Sequence, residues 1–114
     1  MTPTRRGPRL PTGRKESAIQ TAVMGCLRAY GVLCWPQNRE KGGRNRASHY
    51  GFKGIPDIGG VLRGGRSIMV EVKRPGETLA PYQVGAHALL RSHGVLVFNV
   101  TRVEDVARAL AKEA

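Results

Sequence analysis

Two acids and a lysine carry the most chemical content in this sequence: Asp57 in Ile55-Pro56-Asp57, and Glu71 and Lys73 in Glu71-Val72-Lys73. They stand in apolar company within a chain of 114 residues whose formal net charge is +11. Strand side chains alternate, so in "IMVEVK" Met69, Glu71 and Lys73 share one face while Ile68, Val70 and Val72 share the other. A hairpin closed through Arg63-Gly64-Gly65-Arg66 brings the start of one strand to the end of the next, and Asp57 beside Glu71. Two carboxylates that close repel unless something positive lies between them. Lys73 can play that part, and a hard divalent cation with oxygen ligands plays it better. The expected ligands are the carboxylates of Asp57 and Glu71 and the backbone carbonyl of Val72, with water and a phosphate oxygen completing the shell. Such a cation lowers the pKa of bound water and neutralises charge growing on phosphorus. Lys73 is placed to orient the attacking water or to stabilise the pentacoordinate state. The chemistry this predicts is phosphodiester hydrolysis. The structural alternative is an Asp at a turn beside a Glu/Lys pair on a solvated strand face.

The elements that must position these residues follow from periodicity. In "KESAIQTAVMGCLRAY", from Lys15 to Tyr30, the apolar residues Ile19, Val23, Cys26, Leu27 and Tyr30 recur at helical spacing, with Gly31 as the stop. "VLCW" reads as a short strand ended by Pro36, and "DIGGVL" and "SIMVEVK" as the two arms of the hairpin. "LAPYQVGAHALLRSHG" predicts a helix with Pro81 in its first turn, Gly94 at its end and Val84, Ala88 and Leu89 as its apolar set. "VLVFNV" predicts a strand covered on both faces, and Thr101 with Glu104 forms a capping box that opens a closing helix over "RVEDVARALAKE". The order is helix, three strands, helix, strand, helix. It implies one α/β domain over residues 15–114, built around a mixed sheet, with a parallel, right-handed last crossover.

Composition bounds the partners. Nineteen Lys+Arg against eight Asp+Glu point to a polyanion, nucleic acid ahead of an anionic membrane surface. Residues 1–14 hold three Pro, two Gly and four Arg and read as a flexible basic tail. The stretch "QNREKGGRNRASHYGFK" reads as a cationic loop in which Arg39, Lys41, Arg44, Arg46 and Lys53 track a nucleic acid backbone. His49, His87 and His93 lack metal-ligand spacing to an acid and are assigned surface or phosphate-contacting roles. Trp35 and Phe52 are read as core or loop anchors, and Cys26 and Cys34 as reduced core thiols. No apolar run reaches the length of a membrane span, and the first residues lack the apolar core of a secretory signal, so a soluble, intracellular protein is expected, with reduced thiols that suit the cytoplasm.

The combination Ile55-Pro56-Asp57 with Glu71-Val72-Lys73 resembles the PD-(D/E)xK nuclease signature, and the element order is similar to the αβββαβ restriction-endonuclease-like core of that superfamily. More narrowly, "ESAIQ", "GFKGIPDI", and Gln83 soon after "EVKRPGETLAP" resemble a stand-alone VRR-NUC domain, a phage and bacterial nuclease module. The resemblance covers about residues 15–110. It implies that Asp57 and Glu71 ligate Mg²⁺, with Mn²⁺ able to substitute, and that Lys73 is the catalytic lysine. Glu16 is then the helix-borne acid supporting the metal site, and Gln83 the helix glutamine that reaches into it. It further implies a homodimeric endonuclease acting on DNA, structure-selective in the manner of a four-way junction resolvase. A nicking or restriction-type nuclease on plain duplex, and a non-catalytic nucleic-acid-binding module, are the rival readings.

Overall fold

The computed structural model describes residues 16–37 and 52–112. The N-terminal tail and residues 38–51 lie outside the described residues, and with them the expected phosphate contacts Arg39, Lys41, Arg44 and Arg46. The elements are α1 (Glu16–Ala29), β1 (Leu33–Pro36), β2 (Ile58–Val61), β3 (Ser67–Val72), α2 (Pro81–Ser92), β4 (Leu96–Val100) and α3 (Glu104–Lys112). This is the αβββαβ order expected, with a helix appended.

The strands form one mixed sheet in the order β1-β2-β3-β4. β1 and β2 pair antiparallel, as do β2 and β3, whereas β3 and β4 run parallel with Ile68 opposite Leu96 and Val72 opposite Val100. The Leu62 amide donates to the Arg66 carbonyl at 2.8 Å and the Gly65 amide to the Leu62 carbonyl at 2.9 Å, which closes the hairpin where the glycine pair predicts it. Pro36 cannot donate to a ladder, and it is accommodated because β1 is an edge strand.

Alternation divides the sheet into two faces. Ile58, Ile68, Val70, Val72 and Val100 pack with Ile19, Val23 and Leu27 of α1 and Val106 of α3, forming the main core. Met69 and Glu71 point to the other face, which α2 covers with Ala86, His87 and Leu90. The structure is therefore a three-layer sandwich, and Glu71 lies under a helix instead of in solvent.

Both α1 and α2 end in the same motif. The Val32 amide donates to the Leu27 carbonyl and the Gly31 amide to that of Arg28, at 3.0 and 2.9 Å. At α2 the Val95 amide reaches Leu90 and the Gly94 amide reaches Arg91, at 3.2 and 2.9 Å. These are Schellman closures in which glycine takes the left-handed position, with φ of 85° at Gly31 and 91° at Gly94. Each turns the chain directly into a strand.

Several sequence expectations are corrected here. The face of α2 that meets the sheet is Ala86, His87 and Leu90, while Val84 and Leu89 are each 52 % exposed and Ala88 is exposed too. The buried stripe lies along a different side of the helix because it must face β4 and Glu71, a demand no local apolar count registers. Tyr30 lies past the last turn of α1 and is exposed. The cap of α3 is Asp105, not Glu104: its Oδ2 accepts the amides of Thr101 and Arg102 at 2.9 and 3.2 Å and the Thr101 hydroxyl at 3.3 Å. β4 is an edge strand with Asn99 exposed, so it is covered less fully than its apolar run suggests. Cys34 is buried and Cys26 half-buried, and both are free thiols. Trp35 and Phe52 keep about two fifths of their surface exposed, at 41 % and 42 %. No helix among the described residues is long and apolar enough to cross a membrane.

Two glycines test the packing in opposite directions. A Cβ on Gly60 would stand 2.7 Å from the Leu33 carbonyl oxygen, so β1 must move to admit it. A Cβ on Gly85, in α2, meets nothing within 4 Å. Gly60→Ala is expected to destabilise by about 1–3 kcal/mol, and Gly85→Ala to stabilise by about 0.5–1 kcal/mol. Urea denaturation of the two variants checks both signs.

Candidate active site

Register brings the acids together. Ile58 pairs with Val70 across the hairpin, so Asp57, one residue earlier, falls opposite Glu71. Asp57 Oδ2 accepts the Val72 amide at 2.8 Å, which pins its carboxylate to the end of β3. The Gln37 amide donates to the Asp57 carbonyl at 2.6 Å, and Gln37 Nε2 donates to the Pro56 carbonyl at 3.2 Å. The turn carrying Asp57 is thus tied to β1 as well as to β3. Gln37 itself is buried, and Gly59 leaves room for its side chain, because a Cβ there would collide with Gln37 Oε1.

Glu71 is held from above by α2. Gln83 Oε1 accepts the Ala80 amide at 2.9 Å, a half capping box that also fixes which end of the amide faces inward. Gln83 Nε2 consequently donates to Glu71 Oε2 at 3.2 Å. One turn on, His87 Nε2 lies 3.5 Å from Glu71 Oε1, with the two side chains only 1 % and 4 % exposed. Lys73 follows Glu71 on the same strand face, its amide donating to the Val100 carbonyl at 2.9 Å.

The acids and Gln83 line a pocket of about 200 Å³. Its walls are Gln37, Gly54, Ile55, Tyr82 and Lys53, whose ammonium sits 4.5 Å above the centre of the Tyr82 ring. The loop around Gly54 presses onto the first turns of α2: a Cβ at Gly54 would lie 2.9 Å from both the Tyr82 carbonyl oxygen and Ala86 Cβ.

The electrostatics are those of acids forced into company. Burial, followed by the charge of Asp57 and a hydrogen bond shared with it, pushes Glu71 up to about 9, against a weaker opposing pull from Lys73. Glu16 is also raised, by burial first, then by a hydrogen bond and repulsion with Glu77 and by Asp57, while Lys73 pulls it down. Burial holds His87 below the ordinary imidazole value, with Arg91 and Lys73 adding to the effect. Among the described residues no three His, Cys, Asp or Glu side chains group tightly enough to cage a metal alone. Two carboxylates converge, and Glu16 and Glu77 stand behind them.

The fold has counterparts among known proteins. No protein-family model matches the chain. A curated relative, "Putative nuclease p44" of Acyrthosiphon pisum secondary endosymbiont phage 1, is 37 % identical over 62 residues, which is 53 % of this chain and 67 % of the relative. A solved structure described as a VRR_NUC domain superposes with a TM-score of 0.67 at 25 % identity, covering 87 % of this chain and 97 % of that one. The chain belongs to the VRR-NUC nucleases.

In this VRR-NUC nuclease, Asp57, Glu71, Val72, Lys73 and Gln83 gather at one end of the hairpin, and Glu16 reaches the same region from the start of α1. Lys53 stands at the pocket wall. Sequence reasoning missed three residues. Gln37 was read as the start of the cationic loop, and Tyr82, which lines the pocket, was given no role. His87 was expected at the surface and is buried. Its signal was available in the spacing: Gln83 and His87 are four residues apart, so a helix that turns Gln83 inward turns His87 inward as well.

Glu71 sets the pH response of the nuclease without added metal. Its folded value lies above its ordinary value of 4.5, so the folded state holds a proton that the unfolded state has lost between the two, and stability falls as pH rises. His87 is lowered and acts in the opposite sense below its ordinary 6.5, which leaves about pH 6.5 to 9 to Glu71. Melting temperature is expected to drop across that window, with a limiting slope of about 1.4 kcal/mol per pH unit. Glu71→Gln is expected to flatten the curve. A thermal-melt series in chelator, wild type against variant, measures it.

Proposed function

We propose that this nuclease is a divalent-cation-dependent endonuclease that hydrolyses DNA phosphodiester bonds and prefers branched DNA, a four-way junction above plain duplex. The observation that carries the reading is the mutually repelling pair of half-buried Asp57 and buried Glu71 at the foot of a pocket, with Lys73 beside it.

The donor set fits a hard cation. Glu71 Oε1 is buried without a hydrogen-bond partner, and burial, followed by repulsion from Asp57, keeps a proton on the pair at neutral pH. A positive ion is what such a site lacks. Asp57 and Glu71 would hold Mg²⁺ or Mn²⁺ with the carbonyl of Val72, and Glu16 would support it through water. Bound there, the ion lowers the pKa of water and neutralises charge developing on the phosphate. Lys73 shares the strand face of Glu71 and is available to hold the attacking water or the transition-state oxygens. Gln83 keeps Glu71 from rotating, and the Val72 amide does the same for Asp57. Lys53 at the pocket wall meets the phosphate backbone, where contacts set position and carry little sequence information. The family resemblance further supports a homodimer, which would present two such sites to the two sides of a junction.

Cleavage of single-stranded, duplex, flap and four-way DNA with Mg²⁺ or Mn²⁺ tests the reading. Asp57→Ala, Glu71→Ala and Lys73→Ala are each expected to lose at least about 100-fold in cleavage while DNA binding remains. Mn²⁺ is expected to raise the melting temperature of the wild type at pH 8 and to leave Glu71→Gln unmoved. Equal cutting of duplex and junction would replace branch selectivity by a nicking or restriction-type activity. DNA binding with no cleavage under either cation would make the protein a binding module.

A further inference from the structure

We propose that His87 is a positioning residue for the reaction: its Nε2–H donates to Glu71 Oε1 and, together with Gln83, fixes the plane of the Glu71 carboxylate. The inference rests on the reading of Glu71 as a metal-ligating carboxylate.

The starting point is an imbalance under α2. Among the buried side-chain atoms of the described residues, Glu71 Oε1, His87 Nδ1 and His87 Nε2 lack hydrogen-bond partners. Each unpaired buried polar atom has given up its hydration with nothing in exchange. His87 is 1 % exposed, so bulk solvent does not reach it. An apolar side chain of similar size would fill the space at no such cost. The imidazole is therefore unfavourable at this position unless it bonds with something, and Glu71 Oε1, 3.5 Å away, is the orphan acceptor beside it.

The geometry also decides the tautomer. At 3.5 Å the two atoms are about half an ångström beyond an ordinary N–H···O bond. With the proton on Nε2, a small closure satisfies both orphans at once. With Glu71 as the carboxylate that a bound cation requires, a proton on Nδ1 leaves two lone pairs facing each other, and neither Nε2 nor Oε1 is satisfied. The donation does not depend on the charge of the ring, since Nε2 carries a proton in this tautomer and in the imidazolium.

The same helix stripe then grips both carboxylate oxygens: Gln83 takes Oε2 at 3.2 Å and His87, one turn later, takes Oε1. The helix is itself held in register at both ends, by Gln83 Oε1 on the Ala80 amide and by the Schellman closure at Gly94. A carboxylate held at two oxygens cannot turn about its last bond. Outer partners that orient a ligating group in this way typically change metal affinity or activity by about 10–100-fold.

Three variants and one spectrum test the proposal. His87→Phe keeps the bulk and removes the donor; it is expected to lower kcat about 10–100-fold with KM for DNA unchanged, to weaken Mn²⁺ binding by calorimetry, and to leave the melting temperature equal or higher. His87→Gln, whose amide nitrogen reaches the place of Nε2, is expected to restore most of the rate, and His87→Asn, which is too short, is not. Imidazole ¹⁵N shifts of the Mg²⁺-loaded protein, in which Glu71 is a carboxylate, are expected to show His87 protonated at Nε2, with that preference lost in Glu71→Ala. An Nδ1–H tautomer, or wild-type kcat and Mn²⁺ affinity in His87→Phe, overturns the inference. If His87→Phe fails to fold, the Gln and Asn variants and the ¹⁵N spectrum decide. Wild-type cleavage by Glu71→Ala would refute the assignment of Glu71, a result separable from the tautomer measured at His87.

Discussion

A 2.8 Å hydrogen bond from the Val72 amide to Asp57 Oδ2 is the contact around which the site is assembled. It joins the start of the hairpin to its far end, and it can form only if β2 and β3 pair in the observed register. A slip of one residue would turn Glu71 into the main core and Val70 or Val72 toward α2. The apolar alternation of β3 therefore protects the site indirectly. Burying Ile68, Val70 and Val72 against α1 and α3 leaves Glu71 no face but the one under α2.

That placement works against stability. The chain has eight Asp and Glu residues, and four of them, Glu16, Asp57, Glu71 and Glu77, gather in one region of a protein of net charge +11. An even spread of charge would have paired them with some of the nineteen Lys and Arg. Instead Glu16 and Glu71 are both pushed up by burial and by one another's neighbours, and Lys73 offsets only part of it. In the function proposed above, the basic residues and the acidic cluster would have separate physical roles: the first would draw a polyanion from a distance, the second would supply oxygen ligands at short range.

Helix α2 links folding to chemistry. Gln83 supplies the N-terminal cap through Oε1 and restrains Glu71 through Nε2, so the helix cannot be capped in this way without presenting an amide to the acid. His87 lies one turn further along the same stripe. The loop at Gly54 closes the arrangement from outside, because its backbone approaches Tyr82 and Ala86 too closely for any Cβ. Secondary-structure signals and site geometry coincide in these few residues.

Much of the fold was legible in the chain: the αβββαβ order, the hairpin at Gly64 and Gly65, and the glycine stops at Gly31 and Gly94 all follow from periodicity and turn chemistry, which are local properties. Asp57, Glu71 and Lys73 were legible for the same reason, since strand alternation and a tight turn leave little freedom in where they meet. The inward face of α2 was not, and the apolar set Val84, Ala88 and Leu89 pointed to the wrong side. Which stripe of a short helix is buried depends on where the sheet lies, and here the sheet offers β4 and a carboxylate. The cap of α3 shows the same limit on a smaller scale, because both Glu104 and Asp105 stand within reach of Thr101 and only the path of the chain selects Asp105. The sequence by itself determined the elements, the hairpin and the convergence of Asp57, Glu71 and Lys73. Only the tertiary structure decided that His87 and Gln37 are buried beside them, since burial of a polar side chain is set by what packs over it.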